Sequence, residues 1–127
     1  MARRGPLLAL SREHHAALVL ARDCRVATAT EAAALALRIE AHHRDVLVAH
    51  FASEERLLAA HAASIDGAVA QRIAADHAWL RAWIEDGARD LDAVLAYGAR
   101  IGEHVRFEER IAWPLLQPLL DGDPPAA

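Results

Sequence analysis

His50-Phe51-Ala52-Ser53-Glu54-Glu55-Arg56 and His104-Val105-Arg106-Phe107-Glu108-Glu109-Arg110 are two versions of one phrase, 54 residues apart, in a chain otherwise rich in Ala and Leu. In each, an imidazole precedes a carboxylate by four residues, and that spacing brings both to one face of a helix. One such pair is commonplace on a solvated, charged helical face, where Glu and Arg neighbours form ordinary ion pairs. Two copies, each followed by a second Glu and an Arg, point instead to a doubled metal half-site on two separate helices.

Around these phrases the sequence breaks into four amphipathic stretches. The first helix is expected over about residues 6–27, with Pro6 in its first turn and Leu7, Leu10, His14, Ala17, Ala21 and Cys24 on one stripe. Thr28 and Glu31 have capping-box spacing, so a break falls there. The second helix, about 31–62, carries Ile39, His43, Val46, His50, Glu54, Leu57 and His61 near one face. After Ser64, Asp66 and Gly67, a third helix over about 67–86 presents Val69, Ile73, His77, Leu80 and Ile84, and Gly87 ends it. The fourth, about 91–112, presents Val94, Tyr97, Ile101, His104, Glu108 and Ile111, and Trp113-Pro114 is expected to stop it. Leu115 to Leu120 add at most one turn, and 121–127 should fray.

With no strand signal and short connections, these elements predict an all-α, up-down-up-down antiparallel four-helix bundle, a single domain spanning 1–127. Inward stripes then meet in one core. Burying a polar side chain there costs several kcal/mol unless it is paired or bound to a metal. His14, His50, Glu54, His77, His104 and Glu108 all fall on stripes otherwise filled by Leu, Ile, Val and Ala, and an acidic-His pair opens each half as Glu13-His14 and Asp76-His77. Four imidazoles and two carboxylates suit iron, manganese or zinc, and carboxylates can bridge two cations. Depth poses a difficulty. His14 lies about 14 residues before the first break and His50 about 20 after it, a mismatch of ~9 Å at the helical rise.

The composition narrows the function. With 14 basic against 18 acidic side chains and no dense basic stripe, the chain lacks the footprint of a nucleic-acid binder. Its single cysteine, Cys24, permits no internal disulfide and reads as a small core residue, which favours a reducing, cytoplasmic setting. No apolar run approaches the ~18 residues of a membrane span, and the short Leu7 to Leu10 stretch is no signal peptide. Neither nucleic acid nor membrane is an expected partner.

The chain resembles the hemerythrin-like, or HHE cation-binding, domain family over about Leu7 to Leu120. The resemblance rests on both His-Glu phrases, on His14 and His77, and on Trp113-Pro114, where the family often has an aromatic residue followed by proline. By similarity, His14 matches the first-helix ligand, His50 and Glu54 the second-helix pair, His77 the third-helix ligand, and His104 and Glu108 the fourth-helix pair. The oxygen carriers have a second third-helix His where this chain has Ile73, and a carboxylate five residues after the fourth-helix His, which would be Glu109. His15 stands as an alternative to His14, and Glu109 to Glu108.

The resemblance implies a non-haem, carboxylate-bridged pair of iron ions, with manganese or zinc as substitutes, and dioxygen or another small diatomic or peroxide ligand as the partner. The alternative is a divalent-cation or iron module that regulates folding or contacts without redox turnover. A ferritin-like site is the nearest structural competitor, because Glu40-Ala41-His42-His43 contains one Glu-x-x-His, but the fourth helix lacks its partner motif.

Overall fold

In the computed structural model, which describes residues 2–122, every regular element is helical. Helix α1 spans Gly5–Arg25. A 3-10 turn, Ala29–Glu31, leads into α2 (Ala32–His42), which passes through a π turn, His43–Leu47, into α3 (Val48–Ala60) as one rod. Helix α4 spans Gly67–Asp86. Helix α5 (Leu91–Phe107) passes through a second π turn, Glu108–Ala112, into α6 (Trp113–Leu120). The described residues thus form four rods, and no helix among them is long and apolar enough to cross a membrane.

Local chemistry sets the rod ends. The Thr28 N–H donates to Glu31 Oε1 at 2.8 Å, the reciprocal half of a capping box. Asp66 and Asp90 accept from the backbone N–H groups of Ala68 and Ala93 at 2.8 and 2.9 Å, satisfying donors that the first turn leaves open. Gly87 ends α4 at φ 81°, a left-handed conformation that glycine adopts without strain.

The two π turns displace the inner stripe from a simple 3.6-residue reading. Each admits an extra residue, with the N–H of Val48 bonded to His43 O and that of Trp113 to Glu108 O. On the second rod Leu47, Phe51 and Leu58 are therefore buried, while Val46 and Leu57, expected inside, are only half-buried. On the fourth, Ala112 is buried, and Ile111, also expected inside, is 47% exposed.

Trp113-Pro114 does not stop the fourth rod. Proline lacks the N–H that would reach back to Glu109 O across a π turn, and Arg3 Nη2 donates to that carbonyl instead. The helix runs two turns further, with Pro118 inside it. Asp121, placed in the fraying tail, accepts from Arg4 and from Gln117 Nε2. The rest of that expected tail, residues 123–127, lies outside the described residues.

Depth is reconciled at the first connection. Arg38 pairs with Asp23 at 3.0 Å and the His14 and His50 rings lie 5.0 Å apart, so the connection is centred near Glu31 and not at Thr28. The 3-10 turn belongs to it. The first and fourth rods approach closely at Gly98, where a Cβ would meet Cys24 Cβ at 2.6 Å and Ala21 O at 2.9 Å.

Each rod carries two buried apolar blocks with a polar belt between them. One block gathers Leu7, Leu10, Leu58, Val69, Ile73, Ala112, Trp113 and Leu116. The other gathers residues such as Leu20, Cys24, Ile39, Leu47, Leu80, Val94, Tyr97 and Ile101. Between them along the chain sit His14, His50 with Glu54, His77, and His104 with Glu108.

Candidate metal centre

All six side chains picked out in the sequence are buried, none more than 4% exposed. The Nε2 atoms turn inward onto the two carboxylates. Glu54 Oε1 lies 2.9 Å from His77 Nε2 and 3.9 Å from His104 Nε2. Its other oxygen, Oε2, accepts from His50 Nε2 at 3.1 Å and lies 3.9 Å from His14 Nε2. Glu108 Oε1 stands between His14 Nε2 at 3.0 Å and His104 Nε2 at 3.2 Å, and Glu108 Oε2 is buried with no hydrogen-bond partner among the described residues.

Two donor groups result, His14, His50, Glu54 and Glu108, and Glu54, His77, His104 and Glu108, each with its donor atoms within 4.8 Å of one another. Donors about 2.1 Å from a common ion lie at most ~4.2 Å apart, so a small rotamer adjustment separates this spread from coordination. The buried His/Glu groups could hold metal. Both groups share the same two carboxylates.

Every Nδ1 faces a second carboxylate contributed by another rod. His14 faces Glu109 at 3.4 Å, His50 faces Glu13 at 3.2 Å, His77 faces Glu55 at 2.8 Å, and His104 faces Asp76 at 3.0 Å. The relations form a closed circuit. The first rod supports the second, the second the third, the third the fourth, and the fourth the first. An ionised carboxylate only accepts, so each Nδ1 donates and Nε2 is the nitrogen left for a metal.

Without a metal, protons reconcile the buried charges. Burial alone pushes the His14 imidazole down, but Glu108 and Glu109 more than offset it and carry it up to about 9. Burial is likewise outweighed at His50, raised chiefly by Glu54, and at His104, raised well above its ordinary value by Glu108 and Asp76. Glu54 is held well below the usual carboxylate range despite burial, because His104, His50 and His77 surround it. Burial, reinforced by the Glu54 charge, pushes Glu108 up. Imidazolium protons thus occupy the place that cations would take.

Aromatic rings close the belt on two sides. Phe51 stacks on His77 at 4.0 Å between centroids, and Trp113 lies parallel to His14 at 6.0 Å. The Trp113 Nε1 and Tyr97 hydroxyl are buried without partners among the described residues. Comparison with protein-family models, curated proteins and solved structures returns no match for this chain. Geometry and donor chemistry carry the reading.

The alternatives separate cleanly. His15 is exposed, and Glu109 lies in the outer circuit, held by Ser11 Oγ at 2.7 Å. Glu40 pairs with Arg89 at 2.7 Å and joins neither donor group, which removes the ferritin-like arrangement. His43 and His61 also stay outside both groups. The outer carboxylates were not read from sequence as a set, although Glu13-His14, Asp76-His77 and the two Glu-Glu doublets mark all four.

Proposed function

We propose that this chain is a hemerythrin-like, non-haem di-iron protein of a reducing, cytoplasmic setting, which binds or senses dioxygen or a related small molecule. The observation that carries the reading is the sharing of Glu54 and Glu108 by two buried donor groups. Register contacts support an up-down-up-down antiparallel bundle. Along α1, Ser11, His14, Ala21 and Cys24 meet Glu109, Glu108, Gly102 and Gly98 in reverse order.

In this reading His14 and His50 would hold one ion and His77 and His104 the other, with Glu54 and Glu108 common to both donor groups. Two imidazoles and two carboxylates would be fewer donors than such a cation commonly takes, so a small ligand could complete the set. Bound there, ferrous iron supplies a site for a diatomic ligand together with the electrons to reduce it. Each Nδ1 is directed at an outer carboxylate, which fixes the tautomer and leaves Nε2 for a cation, and at His14, His50 and His104 the cation would displace a proton. The flanking apolar blocks, with Phe51 and Trp113, exclude water. Ile73, fully buried, supplies no fifth nitrogen, which favours binding or sensing over reversible carriage.

Anaerobic loading with ferrous iron followed by exposure to oxygen tests this. About two irons per chain, with oxygen uptake and a new visible absorption band, are expected. Two bound ions with neither response would assign the chain to the regulatory cation modules, and no stoichiometric iron would reject a metal function.

A further inference from the structure

The outer carboxylates are unequally held, and we propose that Glu13 makes the His14–His50 position the fast-exchanging one of the two. This inference rests on the two-ion reading above. Asp76 is fully buried and clamped by Arg100 Nε at 2.9 Å and Arg72 Nε at 3.1 Å. Glu55 is gripped by both terminal nitrogens of Arg81, at 2.8 and 3.0 Å. Glu109 takes both its oxygens to Ser11 Oγ, at 2.7 and 2.8 Å, and pairs with Arg3.

Glu13 has none of this support. Its side chain is 41% exposed, as is that of Glu55, but among the described residues its one hydrogen bond is to His50 Nδ1 at 3.2 Å. It also borders a surface groove of about 370 Å³, with Pro6, Leu10, Leu57 and Arg56 on the walls. An ion leaves by shedding donors one at a time, and an imidazole turns away only after its Nδ1 contact breaks. For His104 that step disrupts a buried carboxylate with two arginines on it. For His50 it needs Glu13 to swing into an open groove. Glu13 is therefore a positioning residue that sets how quickly its half of the centre exchanges metal.

The test loads the full chain anaerobically with ferrous iron and follows its capture by an excess of a colour-forming ferrous chelator. Two release phases of about one ion each are expected. Glu13→Ala should speed the fast phase by about tenfold or more, Glu13→Gln, which keeps an acceptor, by less, and both should leave the slow phase unchanged. Glu55→Gln should speed the slow phase. Two bound ions leaving in one phase, or a Glu13 variant acting on the slow phase, overturns the inference and leaves the proposed function standing. Absence of bound iron overturns that function, and this inference with it.

Discussion

Asp76 Oδ2 accepts a hydrogen bond from His104 Nδ1 at 3.0 Å, and neither side chain is more than 1% exposed. This contact fastens the third rod to the fourth at the depth of the donor cluster. The same carboxylate anchors Arg72 and Arg100, and these neighbours hold it down to about 2 despite burial. Asp76→Ala should destabilise the metal-free protein by roughly 3 kcal/mol, because it strands buried charge on His104. Urea denaturation measures it, and a loss below ~1 kcal/mol would show that the contact contributes little.

Glu54 belongs to both donor groups and His14 to one. Glu54→Ala should abolish stoichiometric binding of both ions, whereas His14→Ala should leave about one per chain. Elemental analysis after iron loading decides between them. Equal loss in the two variants would mean that the positions do not fill independently.

Stability of the metal-free protein should fall in mild alkali. His14 is raised from 6.5 to about 9, so its contribution is complete below pH 6.5 and disappears as pH rises through about 9. The expected loss over that window is roughly 3 kcal/mol, read from denaturation midpoints at pH 6.5 and 9.5. Metal should reverse the trend, since ligating imidazoles must shed their Nε2 protons. A flat metal-free profile would show that His14 is not protonated in the folded state.

Gly98 lets the first and fourth rods approach closely. In Gly98→Ala the new Cβ would sit 2.6 Å from Cys24 Cβ and 2.9 Å from the Ala21 carbonyl, and a backbone oxygen has little room to yield. Destabilisation of about 1–3 kcal/mol is expected, with a lower melting temperature as the readout. Gly67→Ala, which meets nothing within 4 Å, serves as the comparison.

The central cluster was legible in sequence because its members repeat and lie on apolar stripes. His50 with Glu54 and His104 with Glu108 keep their four-residue spacing, and His14 and His77 follow the same helical periodicity. Some rod ends were legible too, since Thr28, Asp66 and Gly87 act through local chemistry, whereas Trp113-Pro114 did not end the fourth rod. The π turns left no comparable mark. A period of 3.6 residues assumes an unbroken ladder, so the inward places of Val46 and Ile111 were misread once an extra residue entered each rod. Nor was the outer circuit visible as pairs. Glu13 and His14 are neighbours in sequence, but adjacent helical side chains point about 100° apart. Glu13 consequently reaches a different rod, and Glu109 comes to His14 from the far end of the chain.

Exchange the two halves of the chain, and the circuit of imidazoles and supporting carboxylates maps onto itself. His14 and Glu109 become His77 and Glu55, and His50 and Glu13 become His104 and Asp76. A change made in one half therefore has an internal comparison in the other: an untouched counterpart, differing in its supports, folded in the same molecule and reporting under identical solvent conditions.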